Sequence, residues 1–356
     1  MKPPPQNSDS TPGESCPAPL ASDDKILLAH GGGGRLMHQL IESIFRPAFQ
    51  NPELETHHDG AVLDFPSDKL VMTTDSYVVQ PLIFPGGDIG SLAVNGTVND
   101  LAMCGARPLY LSVGFILEEG LPVSTLRTIA NSMKISAQES GVHIVTGDTK
   151  VVAKGNGDGI FLNTTGVGAA HPFLRSHPDQ IQPGDAILIS GDIARHGIAV
   201  LAARENLEFD PPLQSDCASL SSLVQKLIKA KIQIRCLRDL TRGGLATGLI
   251  EMAGSSKLKF TIDENRIVVH EPVQGACELL GFDPLYIANE GCFVVVVAPD
   301  DAKRAVEILR KEQNSSVPDI IGKVEKATSP HVVLKTSVGS TRVLDMLSGD
   351  QLPRIC

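Results

Sequence analysis

Hydrophobic and polar positions along the chain alternate between strand-like and helix-like spacing. In the first half, short apolar runs that predict strands are KILLAH, KLVMTTDSYVV, PLYLSVGFILE, HIVTGDTKVV and FLNTTGVGAA. Apolar residues recur at helical spacing in RLMHQLIESIF and over residues 88–104 and 122–140. The second half predicts strands at AILIS, KFTI, CFVVVVA and DIIGKV, helices at HGIAVLAAREN, after Gly243–Gly244 and at DAKRAVEILRKE, and a hairpin near HVVLKTSVGSTRVL. This order predicts an α/β or α+β fold.

The length of the chain favours two domains rather than one. The chain has 356 residues, more than one ordinary core requires. A polar, Pro-rich stretch over residues 171–184 is typical of an inter-domain linker. We therefore predict an N-terminal domain over residues 25–170 and a C-terminal domain over residues 185–347. Residues 1–24 have the composition of a disordered extension, and residues 348–356, without periodicity, predict a mobile tail.

Composition argues against several classes of protein. The formal net charge is −10, and no Lys/Arg cluster supplies the basic patch that a nucleic acid needs. Tryptophan is absent, which disfavours a stacking platform for single strands. The longest apolar run, residues 292–299, is far too short for a membrane span, and no secretory signal is present. We expect a cytoplasmic protein that binds neither nucleic acid nor membrane.

Three aspartates at the ends of predicted elements are candidate ligands of a metal ion. Asp75, Asp100 and Asp148 each follow or face small residues. Mg²⁺ prefers carboxylate oxygens and keeps phosphate as a further ligand, so aspartates that converge on one cleft suit Mg-ATP. The alternative reading, in which each aspartate forms a turn or caps a helix, stays open.

A glycine tract near the start is a candidate phosphate-binding loop. The segment His30, Gly31, Gly32, Gly33, Gly34 allows backbone amides to approach a phosphate, and a predicted helix follows it. Four glycines are equally typical of a flexible loop. Neither GxxxxGK[ST] nor GxGxxG occurs, which excludes a P-loop and disfavours a dinucleotide site.

Further charged residues are candidates for proton transfer or anion binding. Lys150 lies two residues beyond Asp148, and Glu290 lies just ahead of an apolar strand. Either residue can serve as a general base or neutralise a phosphate in a dry cleft, although solvated charges are the commoner case. The segment RDLTRGGLA, which contains Asp239, suggests an anion or ring contact, or equally a capped helix start.

The seven cysteines have no paired spacing, which disfavours a disulfide framework or a zinc site. Cys356, at the end of the printed sequence, follows Pro353 and Arg354. A nearby guanidinium favours the reactive thiolate, although a terminal carboxylate opposes that effect. From Gly349 the tail can extend about 25 Å, enough to visit a pocket and leave it. An incidental cysteine on a frayed end is the alternative.

These segments together resemble a known family, the HypE hydrogenase maturation factors, which are carbamoyl dehydratases. The wider group contains aminoimidazole ribonucleotide synthetase, selenophosphate synthetase and thiamin-phosphate kinase. The resemblance runs from about residue 25 to residue 356. It rests on HGGGG, TTDSYVV, NGTVNDLAMCGARP, GDTKVV, GDIARHGIAVLA, LRDLTRGGLAT, ANEG and the final PRIC, of which PRIC is specific to the HypE branch.

The resemblance implies an aminoimidazole ribonucleotide synthetase-like fold whose first-half strands pair across a homodimer. It also implies a two-step reaction on the tail. A HypF-type carbamoyltransferase would load the sulfur of Cys356, and this chain would use ATP to dehydrate the thiocarbamate to a thiocyanate. The nitrile would then pass to iron on a HypC–HypD scaffold.

Roles for individual residues follow from the same resemblance. It places the Mg²⁺ ligands at Asp75, Asp100 and Asp148, the ATP phosphates near Asp239 and the segment His30–Gly34, and proton removal at Lys150 and Glu290.

The chain departs from the family at two positions. Leu240 stands where related sequences often have proline, and Arg195 stands where an acidic residue is common.

Two other functions compete with this interpretation. A sister enzyme is the nearer one, but selenophosphate synthetase needs a reactive cysteine near its glycine-rich region, and Cys16 lies among prolines. The other sister enzymes have no use for a terminal cysteine. A non-catalytic carrier, whose tail thiol only binds a metal or a partner, is the second alternative.

Overall fold

The computed structural model describes residues 24–56, 60–312 and 317–347. The predicted tail with Cys356, Cys16 and nearly all of the predicted extension lie outside the described residues. The helices are α1 (Arg35–Leu40), α2 (Arg46–Phe49), α3 (Ile89–Met103), α4 (Val123–Ser140), α5 (Arg195–Arg204), α6 (Ser221–Lys229), α7 (Gly244–Ser256), α8 (Glu271–Leu280) and α9 (Ala302–Glu312). The strands are β1 (Leu70–Tyr77), β2 (Ile83–Phe84), β3 (Gly87–Asp88), β4 (Ala106–Glu118), β5 (His143–Val152), β6 (Ile160–Ala170), β7 (Ala186–Ile189), β8 (Ile234–Asp239), β9 (Lys259–Asp263), β10 (Phe293–Val297), β11 (Asp319–Glu325), β12 (His331–Lys335) and β13 (Thr341–Leu344).

A four-stranded sheet organises the first half, with strand order β1-β6-β4-β5. Helices α3 and α4 pack on one face of it, over a core that includes Leu111, Val113 and Phe115 of β4. Strand residues alternate between the two faces because successive side chains of a strand point in opposite directions. Asp75 therefore faces α3, whereas its neighbours on β1 face away.

The opposite face of this sheet carries exposed apolar side chains. Leu70 and Met72 of β1 are 56% and 64% exposed, and Ile116 of β4 is 42% exposed. Strands β1 and β5 form the two edges, each with a single neighbour within the described part of the sheet. This face and these edges are open surfaces of the single chain.

A seven-stranded sheet organises the second half, with strand order β13-β12-β9-β11-β7-β10-β8. Every residue of β10, an inner strand between β7 and β8, is buried, because helices cover both faces of the sheet. Helix α7 packs with one core cluster, and α6 and α9 pack with the other. The strand FVVVV is therefore apolar without alternation.

Helix α3 lies between the two halves and contacts both sheets. Asp88 caps its start by accepting hydrogen bonds from the backbone N–H groups of Gly90 and Ser91 at 2.8 and 2.9 Å. Nearly every residue of the helix is buried. Glycine at position 90 lets the helix approach α4, since a Cβ there would lie 2.6 Å from the carbonyl oxygen of Ile129.

The structure confirms most of the predicted elements and differs at the start of the chain. KILLAH is not a strand: Lys25 forms one bridge with Pro122, and Leu28–Gly31 is a 3-10 turn. The glycines that follow favour this turn over a regular strand. Helices α6 and α8 and strand β8 are additional elements. The predicted linker contains a 3-10 turn, Pro178–Gln180, and packs against β8. No helix in the described ranges is long and apolar enough to cross a bilayer.

Candidate active site

A group of four acidic residues, here called the acidic cleft, lies where the first sheet and α3 meet the second sheet. Asp75 of β1 and Asp100 of α3 come from the first half, whereas Asp239, at the end of β8, and Glu290, in the turn before β10, come from the second half. Their charges interact, because Asp239, Asp75 and Asp100 all raise the pKa of Glu290. Four carboxyl groups distant in sequence therefore share one electrostatic environment.

Burial raises the pKa of three of these carboxyl groups, those of Glu290, Asp239 and Asp100. Glu290 is 3% exposed, and burial, followed by the charge of Asp239, raises its pKa well above the ordinary value. Burial and then Asp100 raise the pKa of Asp239 to about 7. Burial also raises the pKa of Asp100, against a 2.8 Å hydrogen bond that the Thr73 hydroxyl donates to its carboxylate. The cleft thus holds excess negative charge that a cation would relieve.

Two arginines of the segment RDLTRGGLA lie beside this charge. Arg242 Nη2 lies 3.5 Å from Asp75 Oδ1, and both Arg238 and Arg242 lower the pKa of Asp100. Arg238 also pairs with Glu251 at 2.6 Å. The segment therefore supplies the Asp239 carboxyl and two arginines to one side of the cleft. The arginines are the residues that suit a bound anion.

The acidic cleft suits a divalent cation that arrives with a phosphate. Within residues 24–56, 60–312 and 317–347, no three His, Cys, Asp or Glu side chains already lie close enough to enclose a metal ion. Mg²⁺ does not need such a cage, because it binds through one or two carboxylates plus phosphate oxygens and water. The mutual elevation of carboxyl pKa values fits this kind of site.

Asp148 and Lys150 lie elsewhere in the single chain. Both are on β5, more than 60% exposed, with Lys150 Nζ 2.8 Å from Asp148 Oδ2. The hydrogen bond from Lys150 is the main cause that lowers the pKa of Asp148. Asp148 pairs in register with Gly114, Gly114 with Asn163, and Asn163 with Ser76. Asp148 therefore shares the face of Ser76, opposite to Asp75, and lies three strand spacings away, about 14 Å.

The glycine tract also lies at the β5 edge. Gly31 packs against Val151, where a Cβ would be 2.7 Å from the backbone nitrogen. The side chain of His30 is buried and its Nδ1 accepts a hydrogen bond from the Leu27 N–H at 2.9 Å. Gly34 precedes α1, so the segment His30–Gly34 leads into a helix start as predicted. The structure thus groups the tract with Asp148 and Lys150 rather than with the acidic cleft.

The described chain ends beside the turn that contains Tyr286. The Tyr286 hydroxyl donates a 2.8 Å hydrogen bond to the carbonyl oxygen of Asp345. The turn that contains Tyr286 contacts Gly244, two residues beyond Arg242. From Leu347, the nine residues to Cys356 can span at most about 30 Å.

Sequence reasoning missed several residues that shape the site. Thr73, Asn99 and Asp216 hold Asp100 and the Glu290 turn through hydrogen bonds. Thr73 and Asn99 sit within segments that carry the family resemblance, which was the available signal. Asp216 lies in an irregular stretch, and its partners are more than 70 residues away.

Comparison with known proteins identifies the family. Residues 57–170 match the model of the AIR synthase related protein, N-terminal domain, and residues 182–335 match its C-terminal domain. Carbamoyl dehydratase HypE from Azotobacter vinelandii is 50% identical over 331 residues, which cover 93% of this chain and 97% of that protein. Carbamoyl dehydratase HypE from Escherichia coli K12 is 43% identical over 338 residues, covering 94% of this chain and 100% of that protein.

Solved structures agree with the sequence comparison. A crystal structure of hydrogenase maturation protein HypE in complex with ATP superposes with a TM-score of 0.90 at 47% identity, covering 93% of this chain and 99% of that chain. A HypE–HypF complex matches with a TM-score of 0.75 at 46% identity, covering 86% and 99%. The predicted resemblance and the mixed α/β fold are confirmed, and the chain belongs to the AIR synthase-related proteins and, among them, to the HypE carbamoyl dehydratase family.

Proposed function

We propose that this chain is the ATP-dependent carbamoyl dehydratase of nickel–iron hydrogenase maturation, acting on a thiocarbamate carried by its own Cys356. The observation that carries the proposal is the convergence of Asp75, Asp100, Asp239 and Glu290 on one partly buried acidic cleft. Relatives that are 43% and 50% identical are named carbamoyl dehydratases, and a solved relative is a complex with ATP.

The reaction removes one oxygen atom and two protons from the carbamoyl group. The carbamoyl oxygen is a poor leaving group, so it first takes the γ-phosphoryl group of ATP and then departs as phosphate. The nitrogen loses two protons and forms the C≡N triple bond, so the products are the S-cyanide, ADP and inorganic phosphate. Phosphoryl transfer depends mainly on positioning and charge neutralisation. The acidic cleft and its arginines are suited to both tasks.

Glu290 is proposed as the base that accepts the first nitrogen-bound proton. Its side chain is 3% exposed, and the pKa of its carboxyl is raised by burial and by its acidic neighbours. A carboxylate with a raised pKa is a stronger base than a solvated one. Lys150 is proposed to neutralise the phosphate or to take part in the second proton transfer.

Asp75 and Asp100, with Asp239 beside them, are proposed to hold Mg²⁺ together with the ATP phosphates. A bound Mg²⁺ supplies charge neutralisation on the transferred phosphoryl group. Thr73 orients the Asp100 carboxylate, and Arg242 pairs with Asp75 at 3.5 Å, so both carboxylates are held at the cleft.

The second half of the nucleotide site is proposed to come from a partner copy in a homodimer. Within one chain, Asp148, Lys150 and the segment His30–Gly34 lie at the β5 edge, away from the acidic cleft. The exposed apolar residues Leu70, Met72 and Ile116 offer the surface that such a partner would cover. In such a homodimer, Asp148, Lys150 and the segment His30–Gly34 of one copy would complete the site around Asp75 and Asp100 of the other.

Mixing two inactive variants tests the shared site. Asp100→Asn and Asp148→Asn copies are each expected to lack activity as homodimers. If each site uses Asp100 of one copy and Asp148 of the other, a mixed dimer contains one intact site. Refolding the two variants together should therefore restore ATP-dependent tail conversion to roughly a quarter of the wild-type rate, since half of the dimers carry one site of two. An inactive mixture would contradict the shared site while leaving the reaction itself in place.

One protein partner is proposed for the loading of Cys356 and another for the transfer of the cyanide. A HypF-type carbamoyltransferase would load Cys356, in keeping with the solved HypE–HypF complex. A HypC–HypD scaffold would receive the cyanide at its iron. We propose that the chain takes part in both steps in the cytoplasm.

Mass spectrometry of the tail peptide tests the proposed reaction. After incubation with carbamoyl phosphate, ATP, Mg²⁺ and a HypF-type transferase, Cys356 should gain a carbamoyl group. It should then lose one water in a step that requires ATP hydrolysis by this chain. Cys356→Ser is the matched control and should show neither change. If the carbamoyl group persists on Cys356 although ATP and Mg²⁺ are present, only the carrier role of this chain would remain.

A further inference from the structure

The backbone of Glu290 is enclosed by a polar segment that the reaction scheme does not use. This segment, residues 215–220, is here called the clamp segment. Asp216 Oδ1 accepts a hydrogen bond from the Glu290 N–H at 3.1 Å, and Asp216 Oδ2 accepts one from the Gly291 N–H at 3.0 Å. The Ala218 N–H donates to the Glu290 carbonyl oxygen at 3.2 Å. Both backbone polar groups of Glu290 are thus bound by the clamp segment.

The side chain of Glu290, unlike its backbone, is not bound by the clamp segment. Among the described residues, its carboxyl group takes part in no hydrogen bond, although the side chain is 3% exposed. Buried carboxyl groups are normally hydrogen-bonded. A backbone held at both ends therefore presents an uncommitted carboxyl group to the cleft.

The clamp segment is itself anchored to both halves of the chain. The Ser215 hydroxyl lies 2.8 Å from Nδ1 of the fully buried His196 of α5, and the Ser215 N–H donates to the Pro85 carbonyl at 2.9 Å. From α3, the side chain of Asn99 donates to the Ala218 carbonyl at 3.0 Å and accepts from the Leu220 N–H at 2.7 Å. Because Asp100 follows Asn99, the clamp links the base to the helix of a proposed metal ligand.

The clamp segment packs so closely against Gly291 that no side chain fits at this position. A Cβ at position 291 would overlap the backbone carbonyl of Asp216. The carboxylate of Asp216 is buried and holds two successive N–H groups, a strong charge-assisted arrangement. The Glu290 turn is consequently fixed by the position of Asp216.

We propose that Asp216 is a positioning residue for dehydration, whose carboxylate grips the Glu290–Gly291 turn and aims the Glu290 carboxyl at the carbamoyl nitrogen. His196, through Ser215, holds the clamp segment in place. The inference rests on the proposed role of Glu290 as the base. It assigns to Asp216 no contact with the substrate, the nucleotide or the metal ion.

Asp216→Asn is the informative variant, because it keeps the shape of the side chain and replaces one acceptor oxygen by an N–H₂ donor. That donor would oppose one of the two backbone N–H groups and tilt the turn. We expect the rate of tail dehydration to fall about tenfold or more, since small misplacements of a catalytic group cost that much. The KM for ATP should change much less, because the nucleotide contacts are untouched.

A double-variant comparison separates positioning from simple loss of structure. In the Glu290→Gln background, Asp216→Asn should cause no further fall in rate, because Asp216 acts through Glu290. Asp185→Asn is the matched control: Asp185 is 2% exposed and accepts a 2.7 Å backbone hydrogen bond away from the cleft. It should lower the unfolding temperature without lowering the rate per folded molecule.

The possible outcomes are distinguishable. A normal rate for Asp216→Asn with an inactive Glu290→Gln would overturn the positioning role alone. A normal rate for Glu290→Gln would overturn the proposed base and this inference with it. Equal rate losses from Asp216→Asn in both backgrounds would show that Asp216 acts independently of Glu290, and the proposal would be wrong.

Discussion

At the scale of single residues, the acidic cleft has unfavourable electrostatics in the absence of a cation. The pKa of Asp239 is raised from 3.8 to about 7, first by burial and then by Asp100. Between these two pKa values, Asp239 therefore keeps its proton in the native state, whereas the same carboxyl group in the unfolded chain has already released it. Such a site gains stability when a cation or a proton enters it.

The pH dependence of unfolding should reveal this proton. Between about pH 4 and pH 7, the native state binds more protons than the unfolded state, so the free energy of unfolding should fall as pH rises. Asp239 alone contributes up to about 1.4 kcal/mol per pH unit in that interval. Denaturant unfolding at several pH values in EDTA should show a shallower slope for Asp239→Asn than for wild type. The same slope for both proteins would contradict the raised pKa of Asp239.

The sequence alone indicated which residues are candidates for the site, but not which of them lie together in the single chain. Asp75, Asp100, Asp239 and Glu290 are recognisable by type and by family resemblance. Their separation from Asp148 depends on which sheet face each side chain takes and on strand order, and neither is visible from local pattern. Asp216 escaped notice because its partners, Glu290 and Gly291, are distant along the chain.

At the scale of elements, α3 was predictable because its signals are local. Asp88 caps the start, and Gly105, with a φ of +76°, follows the end. Helices α6 and α8 and strand β8 lie in stretches that were not assigned, where tertiary packing rather than a strong pattern decides the structure. The segment KILLAH was predicted wrongly, because a short apolar run occurs in a turn as well as in a strand.

The close contact between α3 and α4 predicts a sensitive position at Gly90. An added Cβ would lie 2.6 Å from the Ile129 carbonyl oxygen, so Gly90→Ala should destabilise the protein by about 1–3 kcal/mol. It should also lower activity per folded molecule, because α3 carries Asp100. Chemical denaturation with an ATP-turnover assay measures both effects.

Gly275, within α8, provides the control for Gly90. A Cβ at this position would have no neighbour within 4 Å. Gly275→Ala should therefore stabilise the protein by about 0.4–1 kcal/mol and leave turnover unchanged. Equal effects of the two substitutions would show that the contact between α3 and α4 does not govern the response.

At the scale of the whole molecule, the two halves meet through partly buried hydrogen bonds as well as apolar contacts. The Arg204 guanidinium donates to the Gln80 carbonyl at 2.7 Å, and the Gln225 side chain donates to the Ala106 carbonyl at 3.1 Å. The sequence indicated two α/β units and their order, and the comparisons confirm the fold. The boundaries at residues 170 and 185 stay a prediction, as does the dimer that the open sheet face favours.

The position of α3 limits how the enzyme can move. One helix places the proposed metal ligand Asp100 at the acidic cleft and, through Asn99, touches the clamp segment that holds the proposed base, Glu290. A hinge opening between the halves would have to tear this helix from one of them, exposing a surface that is almost entirely buried. The two halves should therefore behave as one rigid body around α3, without a hinge opening between them.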